Sequence, residues 1–149
     1  MKKENIKIRS ARREDLLSCE KIGKVKEFKV STGDYFKVNY IKYYLSKDFF
    51  LVAEENKKII GFIIAEKIRA KGATIWYIAV SQEKRGRGVG QRLIQEFEKR
   101  SKRKGIEWII LYCPADNELS KNFYKKSGYN KQEHLVEFEK FLFNSFSKL

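Results

Sequence analysis

The chain has 149 residues, of which 42% are hydrophobic and 14% aromatic, and this suits one domain with a substantial core. The composition excludes an intrinsically disordered chain, and no apolar run approaches the ~20 residues of a membrane-spanning helix. Thirty-three Lys and Arg against 19 Asp and Glu give a formal charge of +14. Such a surface attracts anions (nucleic acid, acidic protein, anionic lipid or a polyphosphate cofactor), although a lysine-rich composition without functional meaning has the same charge.

The cysteines and the N-terminus indicate the compartment. Cys19 and Cys113 are too few for a disulfide framework, and neither has neighbours at the spacing of zinc ligands. The basic N-terminal segment lacks the apolar region of a secretory signal. We therefore expect a cytoplasmic protein with a single domain over residues 1–149 and no metal site.

The first half of the chain predicts a strand, two helices and a hairpin. Residues 6–9 alternate apolar and basic side chains, as in a short edge strand. A helix is predicted to enter at 10–15 and to stop at Gly23, and an apolar stripe predicts a second helix over 35–45. Two apolar runs separated by a polar turn then predict a hairpin, with strands at 49–53 and 59–68.

The second half alternates strands and helices. Residues 74–80 form an apolar strand, and a glycine-bearing loop leads from it to a helix with one apolar face: Val89, Leu93, Ile94 and Phe97. A strand and a helix follow, at 107–112 and 119–126. Looser alternation from residue 129 predicts a closing pair of strands that reaches 136–143. This order predicts an α/β (α+β) fold, a mixed sheet with helices on its faces.

The most informative segment lies between the strand at 74–80 and the helix that follows it. Residues 84–91 read Lys-Arg-Gly-Arg-Gly-Val-Gly-Gln. The first turn of a helix leaves backbone N–H groups without partners and carries roughly +0.5 of an elementary charge. Glycines let an anion approach those groups and permit positive φ, while Arg85 and Arg87 add charge. The segment therefore predicts a phosphate site, against the simpler interpretation that the glycines only make a sharp turn.

Two common phosphate-binding motifs do not fit this segment. A P-loop needs Gly-x-x-x-x-Gly-Lys-Ser/Thr, which the chain lacks. The dinucleotide fingerprint Gly-x-Gly-x-x-Gly would start at Gly86 and end at residue 91, which is Gln91. The pattern that does fit is Arg-x-x-Gly-x-Gly, from Arg85 to Gly90.

This pattern resembles the pyrophosphate-binding loop of the GCN5-related N-acetyltransferase (GNAT) family. A second segment, residues 117–129, is similar to the family's motif of Asn, a helix with Phe/Leu-Tyr, and Gly-Phe/Tyr. The likeness runs from about residue 49 to residue 128. It implies a central mixed, largely antiparallel sheet of six to seven strands with helices on both faces. It also implies an acyltransferase that moves the acetyl group of acetyl-CoA to a primary amine by direct attack in a ternary complex.

The resemblance also implies where acetyl-CoA binds. Its pyrophosphate lies on the loop formed by Arg85, Gly86, Arg87, Gly88, Val89 and Gly90. The end of the strand 74–80 diverges from the next strand, so that backbone groups of Ile78 and Val80 pair with the pantetheine arm. An N–H near Ala79 donates to the oxyanion. All the strand contacts use backbone, so an ordinary core strand has the same sequence.

Two side chains of the second motif receive roles from the resemblance. Tyr124 contacts the cofactor and is the candidate acid, because a phenol is suited to protonating the departing thiolate. Asn117 hydrogen-bonds the pantetheine amides. Without the resemblance, Tyr124 is a packing residue beside Phe123, and Asn117 is a helix N-cap.

The general base is not identified from the sequence. The strand 74–80 contains no Asp or Glu, although many family members place a carboxylate there. Tyr112 stands at the position where members that acetylate protein N-termini often carry Glu. Five residues are open as a base that acts through a water molecule: Glu54, Glu66, Asp116, Tyr77 and Tyr112.

Other functions stay open at this point. The charge of +14 and the aromatic residues interleaved with lysines over 35–44 favour a non-enzymatic nucleic-acid-binding module, although no known nucleic-acid-binding motif supports it. The missing carboxylate leaves open the same fold with another acyl-CoA, or with CoA as a regulatory ligand. We expect as partners acetyl-CoA and an amine acceptor (small molecule or protein), and neither nucleic acid nor a membrane. An aromatic tail offers a surface that covers either a neighbouring copy in a homodimer or the chain's own sheet: Phe138, Phe141, Phe143 and Phe146.

Overall fold

Five strands form one sheet in the computed structural model, which describes residues 5–25, 28, 36–138, 140 and 142. The strands lie side by side in chain order: β1 (Ile6–Ser10), β2 (Phe49–Glu55), β3 (Lys58–Ile68), β4 (Gly72–Val80) and β5 (Trp108–Leu111). β1 to β4 are antiparallel neighbours, and β5 joins β4 in parallel. The predicted mixed, largely antiparallel sheet is confirmed, with β1 at its edge.

Helices cover both faces of the sheet, as predicted. On one face lie α1 (Leu16–Ile22), which follows a 3-10 turn and ends at Gly23, and α2 (Val38–Ile41), which continues as a 3-10 helix to Ser46. The other face carries α3 (Val89–Arg103) and α4 (Glu118–Lys126). The helix predicted over 35–45 is thus only one α-helical turn with a 3-10 extension, and residue 35 lies outside the described residues. Within the described part of the chain, no helix is both long and apolar enough to cross a membrane.

Period-two alternation in β2 divides the core into two layers. Phe49 and Leu51 point to the α3 side, whereas Phe50 and Val52 point to the α1 side. The predicted apolar face of α3 completes the first layer, and each of its side chains is at most 1% exposed: Val89, Leu93, Ile94 and Phe97. Full burial of such a side chain contributes about 1.5–3 kcal/mol, so this face holds the start of α3 firmly against the end of β4.

The predicted closing pair of strands is wrong for the residues that the structure describes. Residues 129–138, 140 and 142 contain no strand, and the described sheet has five strands instead of six to seven. The apolar side chains of this segment are 68–93% exposed: Leu135, Val136, Phe138 and Leu142. Alternation alone does not make a strand, because strand stability comes from cross-strand partners that a local pattern does not reveal. The other three phenylalanines of the expected aromatic tail, at 141, 143 and 146, lie outside the described residues, and the homodimer stays a prediction.

Candidate active site

The glycine loop exposes backbone amides at the start of α3. Gly86 and Gly88 both have φ of +76°, a left-handed conformation that other residues rarely adopt. Gly88 is the N-cap of α3, and no side chain caps the amides of the first helical turn. A Cβ atom on either glycine would meet no atom within 4 Å, so the space above the loop is open. Both observations fit a bound pyrophosphate, whose oxygens can accept from these N–H groups.

The third glycine of the loop has a packing role. A Cβ atom on Gly90 would lie 3.1 Å from the ring of Phe123, which is too close for comfortable packing. α4 therefore lies against the first turn of α3 because residue 90 has no side chain. A hydrogen bond of 2.9 Å from Gln91 Nε2 to Ser127 Oγ also joins the first turn of α3 to the residue that follows α4. This packing places Phe123, the residue before Tyr124, against the first turn of α3.

One carboxylate holds two of the cations of the loop. Glu55, the last residue of β2, is 8% exposed and accepts hydrogen bonds from Lys84 Nζ (2.6 Å) and Arg87 Nη2 (2.8 Å). These two bonds lower the pKa of Glu55, so its carboxylate stays ionised. Arg85 instead donates through Nε to the carbonyl oxygen of Val80, 3.2 Å away. The sequence pattern does not single out Glu55, because a glutamate beside a polar turn is usually solvated. Its only signal is a carboxylate ending an apolar strand in a basic chain.

Replacement of Glu55 by glutamine is expected to lower the melting temperature by a few degrees at neutral pH. The neutral amide removes the negative charge that Lys84 and Arg87 share. Because the pKa of Glu55 is lowered on folding from its ordinary value of about 4.5, the carboxylate stabilises the fold above that pH and loses this effect as pH falls further. The difference between wild type and Glu55→Gln, measured by calorimetry from pH 7 to pH 3, should therefore shrink with acid. Glu83→Gln, an exposed glutamate of the same loop, is the control, and an equal effect of both variants would refute the role of Glu55.

β4 diverges from β5 halfway along its length. The pairing of the two strands stops at Ile75 and Leu111. On its other side, β4 has one residue too many: in the pairing with β3, Trp76 is skipped between Ile75 and Tyr77. Such a bulge bends a strand and increases its twist. Residues 76–80 therefore have no strand beside them on the β5 side within the described chain, and the predicted divergence is present.

The backbone N–H and C=O groups of two β4 residues face the gap between β4 and β5, because hydrogen-bonded pairs alternate along the strand. The N–H of Ser81 donates to the carbonyl oxygen of Ile60 in β3, 2.9 Å away. Because hydrogen-bonded pairs alternate along antiparallel strands, Ala79 also bonds to β3, whereas the N–H and C=O groups of Ile78 and Val80 face the gap. The backbone groups expected at Ile78 and Val80 thus face the gap, although the carbonyl oxygen of Val80 already accepts a hydrogen bond from Nε of Arg85. The N–H of Ala79 points away, and we correct the expected oxyanion donor to its neighbour Ile78.

Tyr124 lies in α4 with its ring packed among other aromatic rings. Its ring centroid is 5.2 Å from that of Phe123 and 5.9 Å from that of Tyr129. Burial raises the pKa of Tyr124 well above its ordinary value, so the phenol keeps its proton at neutral and mildly alkaline pH. The hydroxyl of Tyr129 donates to Glu98, 3.0 Å away, whereas no hydrogen bond within the described part of the chain uses the hydroxyl of Tyr124. Its proton is therefore available to a ligand.

Two neighbouring residues have structural roles. Asn117 is the N-cap of α4, and its Oδ1 accepts a hydrogen bond from the N–H of Ser120, 3.1 Å away. The N-cap interpretation is confirmed, and the contact of Asn117 with pantetheine stays a prediction. Cys113 is half-buried, and this burial raises the pKa of its thiol, so no activated nucleophile is present at that position. Among the described residues there is also no group of three or more metal-ligating side chains.

Two of the five candidate bases are poorly placed to take a proton. The hydroxyl of Tyr77 donates to that of Tyr40, 3.1 Å away, and burial raises the pKa of Tyr77 well above its ordinary value. Glu54 is bound by the guanidinium of Arg9, 2.7 Å away, near the end of β2. A phenol that holds its proton and a carboxylate that is already paired are both weak acceptors.

The other three candidate bases, Glu66, Tyr112 and Asp116, lie at different positions relative to the gap. Glu66 lies in β3, accepts a hydrogen bond from Nε1 of Trp76, the bulged residue, at 3.2 Å, and forms a longer ion pair with Lys47 Nζ at 3.6 Å. Tyr112 is 63% exposed and directly follows the last residue of β5. Glu66 and Tyr112 therefore border the gap from its two sides, whereas Asp116 is exposed in the turn before α4.

Two of the tyrosines that favour nucleic-acid binding in the sequence belong to the core instead, whereas Tyr43 is 56% exposed and has Lys47 Nζ 4.4 Å from its ring centroid. Tyr44 is 7% exposed, and its hydroxyl lies 3.4 Å from that of Tyr40. Both rings pack in the layer beneath α1 and α2. Bases stack on exposed aromatic faces, and these two tyrosines do not offer one.

Known proteins are similar to this chain in sequence and in fold. Over 89 residues the chain is 33% identical to "Acetyltransferase SG1711" of Sodalis glossinidius, and the match covers 60% of this chain and 62% of that relative, less than two thirds of its length. The crystal structure of Ard1 from Thermoplasma volcanium is similar with a TM-score of 0.77 and 25% identity, over 86% of this chain and 84% of that one. The PaiA N-acetyltransferase of Thermoplasma acidophilum, solved with coenzyme A, has the same fold, with a TM-score of 0.69 and 24% identity over 86% and 91% of the two chains.

The match to a protein family covers most of the chain. Residues 14–129 match the model of the acetyltransferase (GNAT) family, a span that runs from the turn before α1 to the end of the second motif. It contains β2 to β5, the glycine loop, α3 and α4. The chain belongs to the acetyltransferase (GNAT) family.

Proposed function

We propose that the chain is an acetyl-CoA-dependent N-acetyltransferase that transfers an acetyl group to a primary amine while both substrates are bound. The observation that carries the proposal is an unpaired edge of β4 that leads to backbone amides without a capping side chain at the start of α3. Ile78 and Val80 offer backbone groups at the gap, and the open loop follows at Gly86 and Gly88. A ligand with an amide-bearing arm next to a diphosphate matches both parts. Acetyl-CoA has this chemistry.

The binding roles follow the order of the chain. The amides at the start of α3 would hold the pyrophosphate, with Arg85 and Arg87 supplying positive charge beside them. The C=O group of Ile78 and the N–H group of Val80 would pair with the pantetheine arm as with an added strand. Fixing the thioester against an amine that approaches the gap lowers the barrier by up to ~7–11 kcal/mol, so much of the rate enhancement comes from positioning.

The transfer itself needs few side chains. An aliphatic ammonium group has a pKa of about 10.4, so the acceptor must first lose a proton, and Glu66 and Tyr112 are the candidates to take it through water. The neutral nitrogen then bonds to the thioester carbon, and the N–H of Ile78 donates to the carbonyl oxygen as negative charge develops. As the carbon–sulfur bond breaks, sulfur takes the proton of Tyr124. The proton that the acetylated nitrogen sheds restores the phenol through solvent.

Incubation with labelled acetyl-CoA and a panel of amines tests the proposal. The panel contains peptides with varied first residues, a lysine peptide, a polyamine and an amino sugar. We expect label on at least one amine, with release of one free thiol per acetyl group transferred. Binding of CoA without transfer to any amine, combined with transfer from a longer acyl-CoA, would show that the donor differs. Binding of nucleic acid that weakens steeply with salt, in a chain that does not bind CoA, would overturn the proposal.

A further inference from the structure

A basic cleft lies beside the candidate active site, on the α1 face of the sheet. It has a volume of about 800 Å³ and is bounded by α1, the turn between β2 and β3, and residues 80–85. Seven Lys and Arg and four Asp and Glu line it. Val80 and Arg85 belong both to this cleft and to the proposed cofactor site, so the two are contiguous. The proposed chemistry makes no other use of the cleft.

The charge in the cleft is positive and only partly compensated. Arg9 binds both Asp15 and Glu54 at 2.7 Å, so two of the four carboxylates share its single positive charge. The ion pairs between described residues involve none of three lysines that line the cleft: Lys21, Lys57 and Lys58. Lys21 belongs to α1, Lys57 to the turn between β2 and β3, and Lys58 is the first residue of β3. An anion in the cleft therefore meets uncompensated positive charge from two separate segments of the chain.

The cleft also contains apolar and hydrogen-bonding groups. Four aliphatic residues contribute to its lining, although the side chain of Val80 packs on the α3 side: Ile22, Val25, Ile59 and Val80. The hydroxyl oxygen of Ser81, another lining residue, is buried and has no hydrogen-bond partner in the described part of the chain. A buried hydroxyl without a partner is unfavourable, and a ligand that hydrogen-bonds to it removes this cost. The cleft thus suits a ligand that combines negative charge, apolar groups and amides.

We propose that this cleft binds an acidic peptide segment of a protein acceptor, while the amine of that acceptor reaches the gap between β4 and β5. The inference rests on the proposed function and specifies the class of its acceptor. Carboxylates of the peptide pair with Lys21 and Lys57, aliphatic side chains cover Ile22 and Ile59, and a peptide N–H or C=O satisfies Ser81. The +14 charge of the whole chain attracts such a partner at long range.

A peptide fits the cleft better than a nucleic acid does. Single-stranded nucleic acid binds by stacking its bases on aromatic side chains, and the described residues that line the cleft include none. A phosphate backbone is continuously negative, whereas Glu14 and Glu83 interrupt the positive lining. Discrete acidic side chains on a peptide can avoid these two positions.

Matched peptides and matched charge reversals test the inference. The probes are eight-residue peptides with a free N-terminus and a dye at the C-terminus, rich in Asp, Glu and Leu, and identical peptides with Asn and Gln in place of Asp and Glu. Wild type should bind the acidic peptide at least ~10-fold more tightly, because several weak ion pairs with exposed lysines add up. The double variant Lys21→Glu and Lys57→Glu should lose this preference, with the affinity for acetyl-CoA unchanged.

The control is the double variant Lys99→Glu and Lys102→Glu, which makes the same change of charge on α3. Lys102 lies in the last turn of its helix, as Lys21 does, so effects on helix stability are matched. The control should bind the acidic peptide as wild type does. Equal binding of both peptides, or an equal loss in both double variants, refutes the inference while acetyl-CoA binding still supports the proposed function. Tighter binding of an oligonucleotide than of the acidic peptide, lost with Lys21 and Lys57, refutes it in favour of nucleic acid. Absence of acetyl-CoA binding refutes the proposed function itself.

Discussion

Gly88→Trp is expected to weaken acetyl-CoA binding by about 100-fold or more, because it removes charge-assisted hydrogen bonds worth about 1.5–3 kcal/mol each. No atom lies within 4 Å of a Cβ at this position, so a side chain can leave the backbone there without a clash, and the indole extends into the space that we assign to the pyrophosphate. Isothermal calorimetry with acetyl-CoA measures the loss directly. Binding of CoA at full strength by this variant contradicts the proposed loop.

The conformation of Gly88 requires a matched control. A non-glycine residue at φ of +76° costs about 1–2 kcal/mol, so Gly88→Trp also lowers stability. Gly105 ends the same helix with φ of +73° and has equally open space around its Cβ position. Gly105→Trp should therefore lower the melting temperature by a similar amount and leave acetyl-CoA affinity unchanged. If both variants lost affinity equally, destabilisation would be the cause.

Tyr124→Phe should lower kcat by about 10²-fold or more, which is the usual contribution of a positioned general acid. The hydroxyl has no hydrogen bond within the described part of the chain, so its removal should change neither the melting temperature nor the Kd for acetyl-CoA appreciably. Steady-state kinetics and calorimetry separate the two quantities. Unchanged turnover would remove Tyr124 from the mechanism.

Tyr129→Phe is the control for the loss of a phenol in the same aromatic cluster. The two rings are 5.9 Å apart, and burial raises the pKa of both hydroxyl groups. The Tyr129 hydroxyl donates to Glu98, which ties the end of α4 to α3. Tyr129→Phe should thus reduce stability slightly and leave kcat near the wild-type value, the opposite of the result expected for Tyr124→Phe.

The motifs of the candidate site are readable from the sequence because each is local. The glycine loop occupies six consecutive residues between an apolar strand and an amphipathic helix, and both neighbours are recognisable from their periodicity. The four apolar residues that predict the face of α3 are the four that pack into the core at its start. Strand positions β1 to β5 are also predicted within one or two residues at most ends, since apolar runs and turns mark them.

Other parts of the site depend on residues distant in the chain. Glu55 becomes the counterion of the loop only when β2 places it beside Lys84 and Arg87, about 30 residues further on. The bulge at Trp76 is defined by its pairing with β3, so no pattern within β4 predicts it. The orientation of Ile78, rather than Ala79, toward the gap follows from the same pairing.

Short stretches of the sequence therefore determined the family motifs, the helix faces and the strands up to β5, because hydrophobic periodicity and turn-forming glycines are properties of a few consecutive residues. The tertiary structure decided which backbone groups face the gap, which carboxylate orders the loop, and that the described residues after 129 form no strand. It also gathered the lysines of α1 and of the turn between β2 and β3 around one cleft. Each of these depends on strand pairing and burial, and the free energy of both resides in contacts between segments that are far apart in the sequence.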